Sequence, residues 1–179
     1  EKDMFELLVQ QRQKQEIAAI VDINGKTRQF GLSLTEDEAR ELMVSRNNSL
    51  KKYQRVEFGE SILEKLIFVF CDSQFINQDS YRETLSRLQD IFYEFKNESA
   101  DMLTDDELMT FMREQYDGVC FGDLDYLEST CLERFAEAIR AGYQGFRQTG
   151  GVGEYSQFDD VPRWDRNLYL EALKDLFWE

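Results

Sequence analysis

The pattern of apolar and polar residues is most regular between Leu66 and Glu98, where two helical patterns follow each other. The first belongs to a helix that begins near Phe58, and its apolar residues cover nearly the whole circumference, which predicts burial on most sides. After a polar break, apolar residues recur at spacings of four, three, four and three, as on the buried stripe of an amphipathic helix. This stripe consists of Tyr81, Leu85, Leu88, Phe92 and Phe95. We expect the stretch to form the centre of the core.

Capping residues and shorter apolar stripes predict further helices on both sides of this stretch. Thr35 and Glu38 have the spacing of a capping box, in which the hydroxyl and the carboxylate each satisfy a backbone amide. Thr104 and Glu107 repeat that spacing. Asp123 is the predicted N-cap of a later helix. The apolar residues of this later helix are Leu124, Leu127, Cys131, Phe135 and Ile139.

The first thirty residues predict a helix followed by a turn. The helix runs from about Lys2 to Ile20, and its inward residues are Phe5, Leu8, Ile17 and Ile20. The dipeptide Asn24-Gly25 is a tight-turn signal, which leaves either a short hairpin or a plain loop open.

Composition favours helices throughout. The single proline is Pro162, so little interrupts the backbone hydrogen-bond ladder, and 179 residues suffice for one substantial core. The sequence therefore predicts an all-α, single-domain bundle of about six or seven helices in residues 1–142. Five glycines between Gly142 and Gly153 predict a Gly- and aromatic-rich linker over residues 143–163, and a short C-terminal docking helix follows at residues 164–179.

The charge of the chain narrows the range of partners. A net charge of −15 repels nucleic acid and anionic membranes unless cations are concentrated in one patch, and the sequence contains no such patch. We therefore expect no nucleic-acid and no membrane partner. No apolar run approaches membrane-spanning length, and no signal-peptide pattern opens the chain.

Three strings in the central part resemble an uncharacterised bacterial family of short acidic proteins that is known only as a domain of unknown function. The strings are RVEFGESILEKLIFVFCDS, YRETLSRLQDIFYEFKNES and LTDDELMTFM. The resemblance runs from about Phe30 to Ile139. It implies no activity, cofactor or catalytic residue, and it argues against membership of a well-studied enzyme class.

The chain contains no histidine, which excludes several catalytic arrangements. Serine and cysteine nucleophiles activated by histidine, zinc sites with histidine ligands and histidine-containing di-iron bundles are all impossible. The glycines from Gly150 to Gly153 are followed by Glu154, whose carboxylate repels phosphate, so they do not form a Walker loop. We identify no catalytic residue and expect no cofactor.

Residues 117–128 have the length of a calcium-binding loop between two helices. Gly122 occupies the sixth position, where this loop requires glycine, but Val119 and Phe121 occupy the third and fifth, where ligand oxygens are needed. The candidate ligands are Asp117, Asp123, Asp125 and Glu128. The alternative is a helix–turn–helix that uses Asp123 only as an N-cap.

A second set of acids allows a magnesium-dependent hydrolase of the all-α nucleotide pyrophosphatase type, in which carboxylates on adjacent helices hold hydrated Mg²⁺. The candidate residues are Asp37, Glu38, Glu41, Glu98 and Asp101. The first two are also explained as partners of a helix dipole, so this pattern is weakly specific in such an acidic chain.

The three cysteines form an odd set without CxxC spacing, which favours reduced thiols in a cytoplasmic protein. Cys71 falls in an apolar helix and is expected to be an inert core residue. Cys120 falls in a glycine-containing loop and is expected to be accessible, but no neighbouring cation is evident that would lower its pKa. The spacing of Cys120 and Cys131 gives no local chelate for zinc.

Aromatic residues at the C-terminal end supply the candidate partner-binding surface, because a purely solvated linker would contain fewer of them. They are Tyr143, Phe146, Tyr155, Phe158, Trp164, Phe177 and Trp178. They either dock on the helices of the same chain or bind a protein partner, which includes a second copy. The sequence thus favours a non-catalytic cytoplasmic interaction or regulatory module over the calcium-binding and hydrolase alternatives.

Overall fold

The computed structural model describes residues 3–57 and 61–143, and every regular element in these ranges is helical. This confirms the all-α fold class. None of the helices in these ranges combines the length and the apolar composition that a membrane span requires. The predicted linker and C-terminal helix, residues 143–163 and 164–179, lie outside these ranges except for Tyr143, so the predicted domain boundaries stay predictions.

The chain divides into two compact units, and the boundary between Tyr93 and Glu94 falls inside one helix. The elements that begin in the first unit are α1 (Met4–Asp22), α2 (Asn24–Thr27), α3 (Glu36–Lys52), α4 (Ile62–Phe70) and α5 (Tyr81–Glu98), with 3₁₀ turns at Arg28–Phe30 and Gln78–Ser80. Those of the second unit are α6 (Asp105–Asp117), α7 (Leu124–Tyr126) and α8 (Glu133–Arg140), with a π-helical segment at Leu127–Leu132.

Local signals in the sequence position most helix starts correctly. Both capping boxes are present, since the Thr35 and Thr104 hydroxyls each accept from the amide three residues later and the partner glutamate returns to the cap. Asp123 accepts from the amides of Asp125 and Tyr126, as an N-cap does. The predicted stripe of α5 is buried along its whole length.

Helices α3 and α5 pack side by side in the first unit and run parallel. Ser45 and Ser86 share a hydrogen bond of 2.6 Å between their hydroxyl oxygens, and one turn later Ser49 donates to Asp90 at 2.8 Å. Both pairs are 41 residues apart in sequence, so the two helices advance in step. Small serine side chains allow this close approach.

The second unit is held together by aromatic stacking and one buried cation. The rings of Phe111 on α6 and Phe135 on α8 stack with centroids 3.8 Å apart. Lys96 is buried and donates to the carbonyl of Leu103 at 2.7 Å while it pairs with Asp105 at 3.0 Å. These two contacts fix the loop between α5 and α6, and they offset the free-energy cost of burying the Lys96 charge.

Two features differ from the sequence-based predictions. Neither the hairpin nor the plain loop that the sequence left open follows α1, because Asn24 opens a helical turn and its buried side-chain amide exchanges two hydrogen bonds with the backbone of Leu34, both 2.8 Å. The Asn24 side chain thus provides the backbone of Leu34 with the two hydrogen bonds that a neighbouring strand would provide in a hairpin. Helix α4 begins at Ile62, capped by Ser61, rather than near Phe58, and Phe68 is 47% exposed.

Candidate functional site

The first half of α1 carries a group of apolar side chains that the described structure leaves in solvent. Met4 is 71% exposed, Phe5 73%, Leu7 49%, Leu8 56% and Val9 40%. We call these five residues the α1 face. The sequence predicted that Phe5 and Leu8 point into the core, and the structure shows this to be wrong.

The second half of the same helix is packed normally. Ile17 and Ile20 are buried, as the sequence predicted, whereas every residue from Asp3 to Gln15 is exposed. Asp3 caps the exposed half by accepting from the amide of Glu6 at 2.8 Å. The helix thus extends by more than three turns beyond the core that supports it.

An exposed helical segment of this length is marginal by itself in water, because most helical stability in proteins comes from the packing of an apolar face. Large contiguous apolar patches on a protein surface mark interaction sites. The α1 face is therefore a candidate interaction surface.

The charges on the exposed half of α1 are segregated along its length. Asp3 and Glu6 lie in the first turn, and Arg12 and Lys14 lie two turns later. Arg12 contacts Glu16 at 3.4 Å, an exposed pair of the kind that contributes little stability. The exposed half of α1 is therefore acidic at its start and basic at its end.

A groove with a volume of about 840 Å³ lies between α3 and α5 in the first unit. Two of its cations pair with carboxylates: Arg40 with Asp37 at 3.0 Å, and Arg82 with Glu41 at 3.1 Å. The positive charges of these two arginines are therefore compensated within the groove.

Asp90 lies at one end of this groove and accepts hydrogen bonds from three side chains. The donors are Ser49 at 2.8 Å, Tyr53 at 2.9 Å and Lys52, whose nitrogen is 2.9 Å from the nearer oxygen. Burial raises the pKa of Asp90, but the hydrogen bonds of Lys52, Ser49 and Tyr53 outweigh it, so the pKa lies below its usual value. This carboxylate joins α3 to α5.

A second polar network connects α3, α5 and the segment between α3 and α4. Arg46 donates to one oxygen of Glu57 at 2.7 Å, and the hydroxyl of Tyr93 donates to the other at 2.5 Å. Burial lowers the pKa of Arg46, yet Glu57 raises it above the ordinary value. Burial and Glu57 together raise the pKa of Tyr93. Arg46 and Tyr93 thus satisfy the two carboxylate oxygens of Glu57, which indicates a structural role for the network.

The acids of the predicted magnesium site serve local structural roles. Glu38 completes the capping box of Thr35, and Asp37 and Glu41 pair with arginines as described above. In the second unit, Glu98 binds Arg140, and Asp101 lies 3.9 Å from Lys96. No three ligand atoms from this set gather within 4.8 Å among the residues that the structure describes. The hydrolase stays a prediction.

The predicted calcium loop is folded as a turn between α6 and α7. Asp117 pairs with Arg113 at 2.6 Å, and Asp123 uses its carboxylate as an N-cap. Glu128 lies beside a cleft of about 340 Å³ that other glutamates also line. Calcium binding by Asp117, Asp123, Asp125 and Glu128 stays a prediction, while the alternative role of Asp123 as an N-cap is confirmed.

The loop brings together two cysteines that sequence spacing does not connect. The sulfur atoms of Cys120 and Cys131 lie 3.5 Å apart, and the two residues are 4% and 8% exposed. The expectation that Cys120 is accessible is therefore wrong, because the loop folds its side chain inward against Cys131. Cys71 is buried in the first unit, as predicted for a core residue.

The predicted partner-binding aromatics fall almost entirely outside the described residues. Only Tyr143 lies within them: it is half-buried, its amide donates to Ala138 at 2.9 Å, and burial raises its pKa. Their role in binding stays a prediction. The outside residues are Phe146, Tyr155, Phe158, Trp164, Phe177 and Trp178.

Comparison with known proteins gives a family but no activity. No curated protein and no solved structure matches the chain. One family model, described as a family of unknown function (DUF6323), matches residues 19–145. The matched region contains the groove, the polar networks and the cysteine pair, and it begins after the exposed half of α1. The chain belongs to this family of unknown function.

Proposed function

We propose that the chain is a non-catalytic, cytoplasmic protein-interaction module that pairs with a second copy of itself through the α1 face. The observation that carries this proposal is the exposure, among the residues that the structure describes, of five large apolar side chains on the first half of α1. Burying them against a partner removes apolar surface from water and stabilises the helix at the same time.

The charge distribution of α1 favours a second copy as the occupant. When two such helices pair in antiparallel fashion about a two-fold axis near Leu8 and Val9, the acidic start of each faces the basic end of the other. The first turn of each copy, which contains Asp3 and Glu6, then lies beside the turn of its partner that contains Arg12 and Lys14. Because the interface is isologous, it contains every such contact two times.

A parallel arrangement lacks this complementarity, since it would place the two acidic first turns side by side and the two basic turns side by side. Repulsion between like charges disfavours the parallel arrangement. This effect is larger than the affinity that opposite charges add to the antiparallel arrangement. The apolar residues thus supply the attraction, and the charges select the orientation.

Sedimentation velocity on the full chain over a wide concentration range tests the proposal. We expect the mass of two copies at high concentration and reversible dissociation on dilution. Leu8→Glu places a charge in the centre of the α1 face and should weaken the dimer at least about 30-fold, as expected for a central apolar contact.

Gln10→Glu is the matched control, because it adds the same charge on the opposite side of the same helix and should leave the dimer intact. A wild-type chain that remains a single copy at every concentration would contradict self-association. In that case, a fall in the melting temperature of Leu8→Glu would show that the chain covers its own α1 face.

A further inference from the structure

The loop after α6 and the π-helical segment after α7 bring the sulfur atoms of Cys120 and Cys131 to 3.5 Å from each other. These residues are eleven positions apart and come from different elements, so the contact is made by the fold and not by local spacing. We propose that Cys120 and Cys131 are a reversible dithiol–disulfide pair, oxidised by hydroperoxides and reduced by small thiols.

The distance is suited to this reaction. A disulfide has its sulfurs at about 2.05 Å, so bond formation requires an approach of only about 1.5 Å, which side-chain rotation and small backbone shifts can provide. Both residues lie in backbone that departs from regular α-helix. Phe121 and Gly122 beside Cys120 have φ of 51° and 78°, and Cys131 lies within the π-helical segment.

The surroundings differentiate the two thiols. The hydrogen bond from Cys120 and the charge of Arg134 lower the pKa of Cys131, although burial opposes them. The contact with Cys131 and burial raise the pKa of Cys120. Cys131 is thus suited to react first as the thiolate, and Cys120 is suited to resolve the product.

The chemistry balances with a hydroperoxide as the oxidant. The Cys131 thiolate attacks one oxygen of H₂O₂, the O–O bond breaks, and the sulfur becomes a sulfenic acid while one water leaves after protonation. The Cys120 sulfur then attacks the Cys131 sulfur, the S–O bond breaks, and the hydroxide leaves with the Cys120 proton as a second water. Two thiols lose two electrons in total, and the peroxide gains them. In the reduction, one small thiol breaks the Cys120–Cys131 bond and forms a mixed disulfide. A second small thiol then attacks that bond, so both cysteines return to thiols and the two small thiols leave as one disulfide.

The pair is buried, so the oxidant must be small. Val119 and Phe121 on either side of Cys120 are 44% and 75% exposed, which places the pair directly beneath a surface loop. Hydrogen peroxide can reach such a site through local opening of the loop, whereas bulky reagents cannot.

Peptide mapping of the full chain tests the proposal. Residues 114–134 contain both cysteines and no internal lysine or arginine, so trypsin releases them together, and Cys71 appears in a different peptide. After treatment with H₂O₂ and then iodoacetamide in denaturant, we expect peptide 114–134 to carry no alkyl group, and when a reducing agent precedes the alkylation we expect it to carry two.

The peptide with Cys71 should remain alkylated throughout, and the Cys71→Ala variant should behave as the wild type. The melting temperature should rise on oxidation and return on reduction, since the bond closes a loop in the unfolded chain. Peptide 114–134 that keeps both alkyl groups while Cys71 is oxidised, or that gains sulfinic oxygens without a disulfide, would overturn the proposal. This wild-type result stands even if substitutions at Cys120 or Cys131 prevent folding.

Discussion

At the scale of single residues, the ion pair between Arg46 and Glu57 joins two charges that are both largely removed from water. Their side chains are 10% and 12% exposed, so either charge left alone is poorly solvated. Glu57→Gln keeps an oxygen for the Tyr93 hydroxyl but removes the charge opposite Arg46. We expect a loss of roughly 3 kcal/mol in the free energy of unfolding, measured by urea denaturation.

The double variant Arg46→Met/Glu57→Gln separates the charge effect from packing. It contains no uncompensated buried cation, so it should be more stable than Glu57→Gln alone. A double variant less stable than the single one would show that Arg46 acts mainly through packing or through Glu16, 4.0 Å from it.

The lowered pKa of Asp90 predicts a pH dependence. A carboxyl whose folded-state pKa is depressed contributes stability above its unfolded pKa of about 3.8, and the contribution is lost as the pH falls through the folded value. The difference in melting temperature between the wild type and Asp90→Asn should therefore be constant from about pH 7 to pH 5 and should narrow below about pH 4. The same substitution at exposed Asp22 is the control. A difference that grows in acid would contradict the role assigned to Asp90.

The sequence predicts the contacts of single residues where both partners lie within one helical turn, and it does not predict contacts that only the folded chain brings together. Thr35 and Glu38 announce a capping box because both partners lie within one turn. Cys120 and Cys131 meet only after the loop has folded, and no spacing rule connects positions eleven apart in such a loop. Phe5 and Leu8 looked like core residues because a sequence shows that a side chain is apolar but not whether the fold supplies a cover for it.

At the scale of elements, the parallel packing of α3 and α5 depends on small side chains at their contact. Ser45 touches Ser86 directly, so Ser45→Leu inserts a large side chain where the helices are closest. We expect a destabilisation of about 1–3 kcal/mol from overpacking, measured by thermal and urea unfolding.

Asn48→Leu is the comparison, because Asn48 is exposed on the same helix and its replacement should change the stability by less than about 0.5 kcal/mol. Equal effects of the two substitutions would show that α3 and α5 tolerate separation at Ser45. The helices themselves were predictable from apolar spacing, whereas their shared direction was not, because it is set by contacts between positions 41 residues apart.

At the scale of the whole molecule, the strong negative charge makes orientation a central question for self-association. A net charge of −15 opposes the approach of two copies, so the contact must concentrate complementary charge locally. Arg12 lies one turn after Leu8 on the same side of the helix, so Arg12→Glu should weaken the dimer by roughly two- to five-fold for each affected contact, because exposed ion pairs contribute about 0.2–1 kcal/mol.

Sedimentation equilibrium measures the dissociation constants of the wild type and of Arg12→Glu under one buffer condition. An unchanged dissociation constant of Arg12→Glu would contradict the antiparallel arrangement while leaving the α1 face itself open to the Leu8→Glu test.

The position of the unit boundary inside α5 has a consequence for inheritance. Most compact units are joined by linkers, where recombination can exchange one unit without damage to its neighbour. Here a crossover between Tyr93 and Glu94 would cut an 18-residue helix and divide its buried stripe between two parents. The two units are therefore expected to be inherited together and not exchanged separately by recombination.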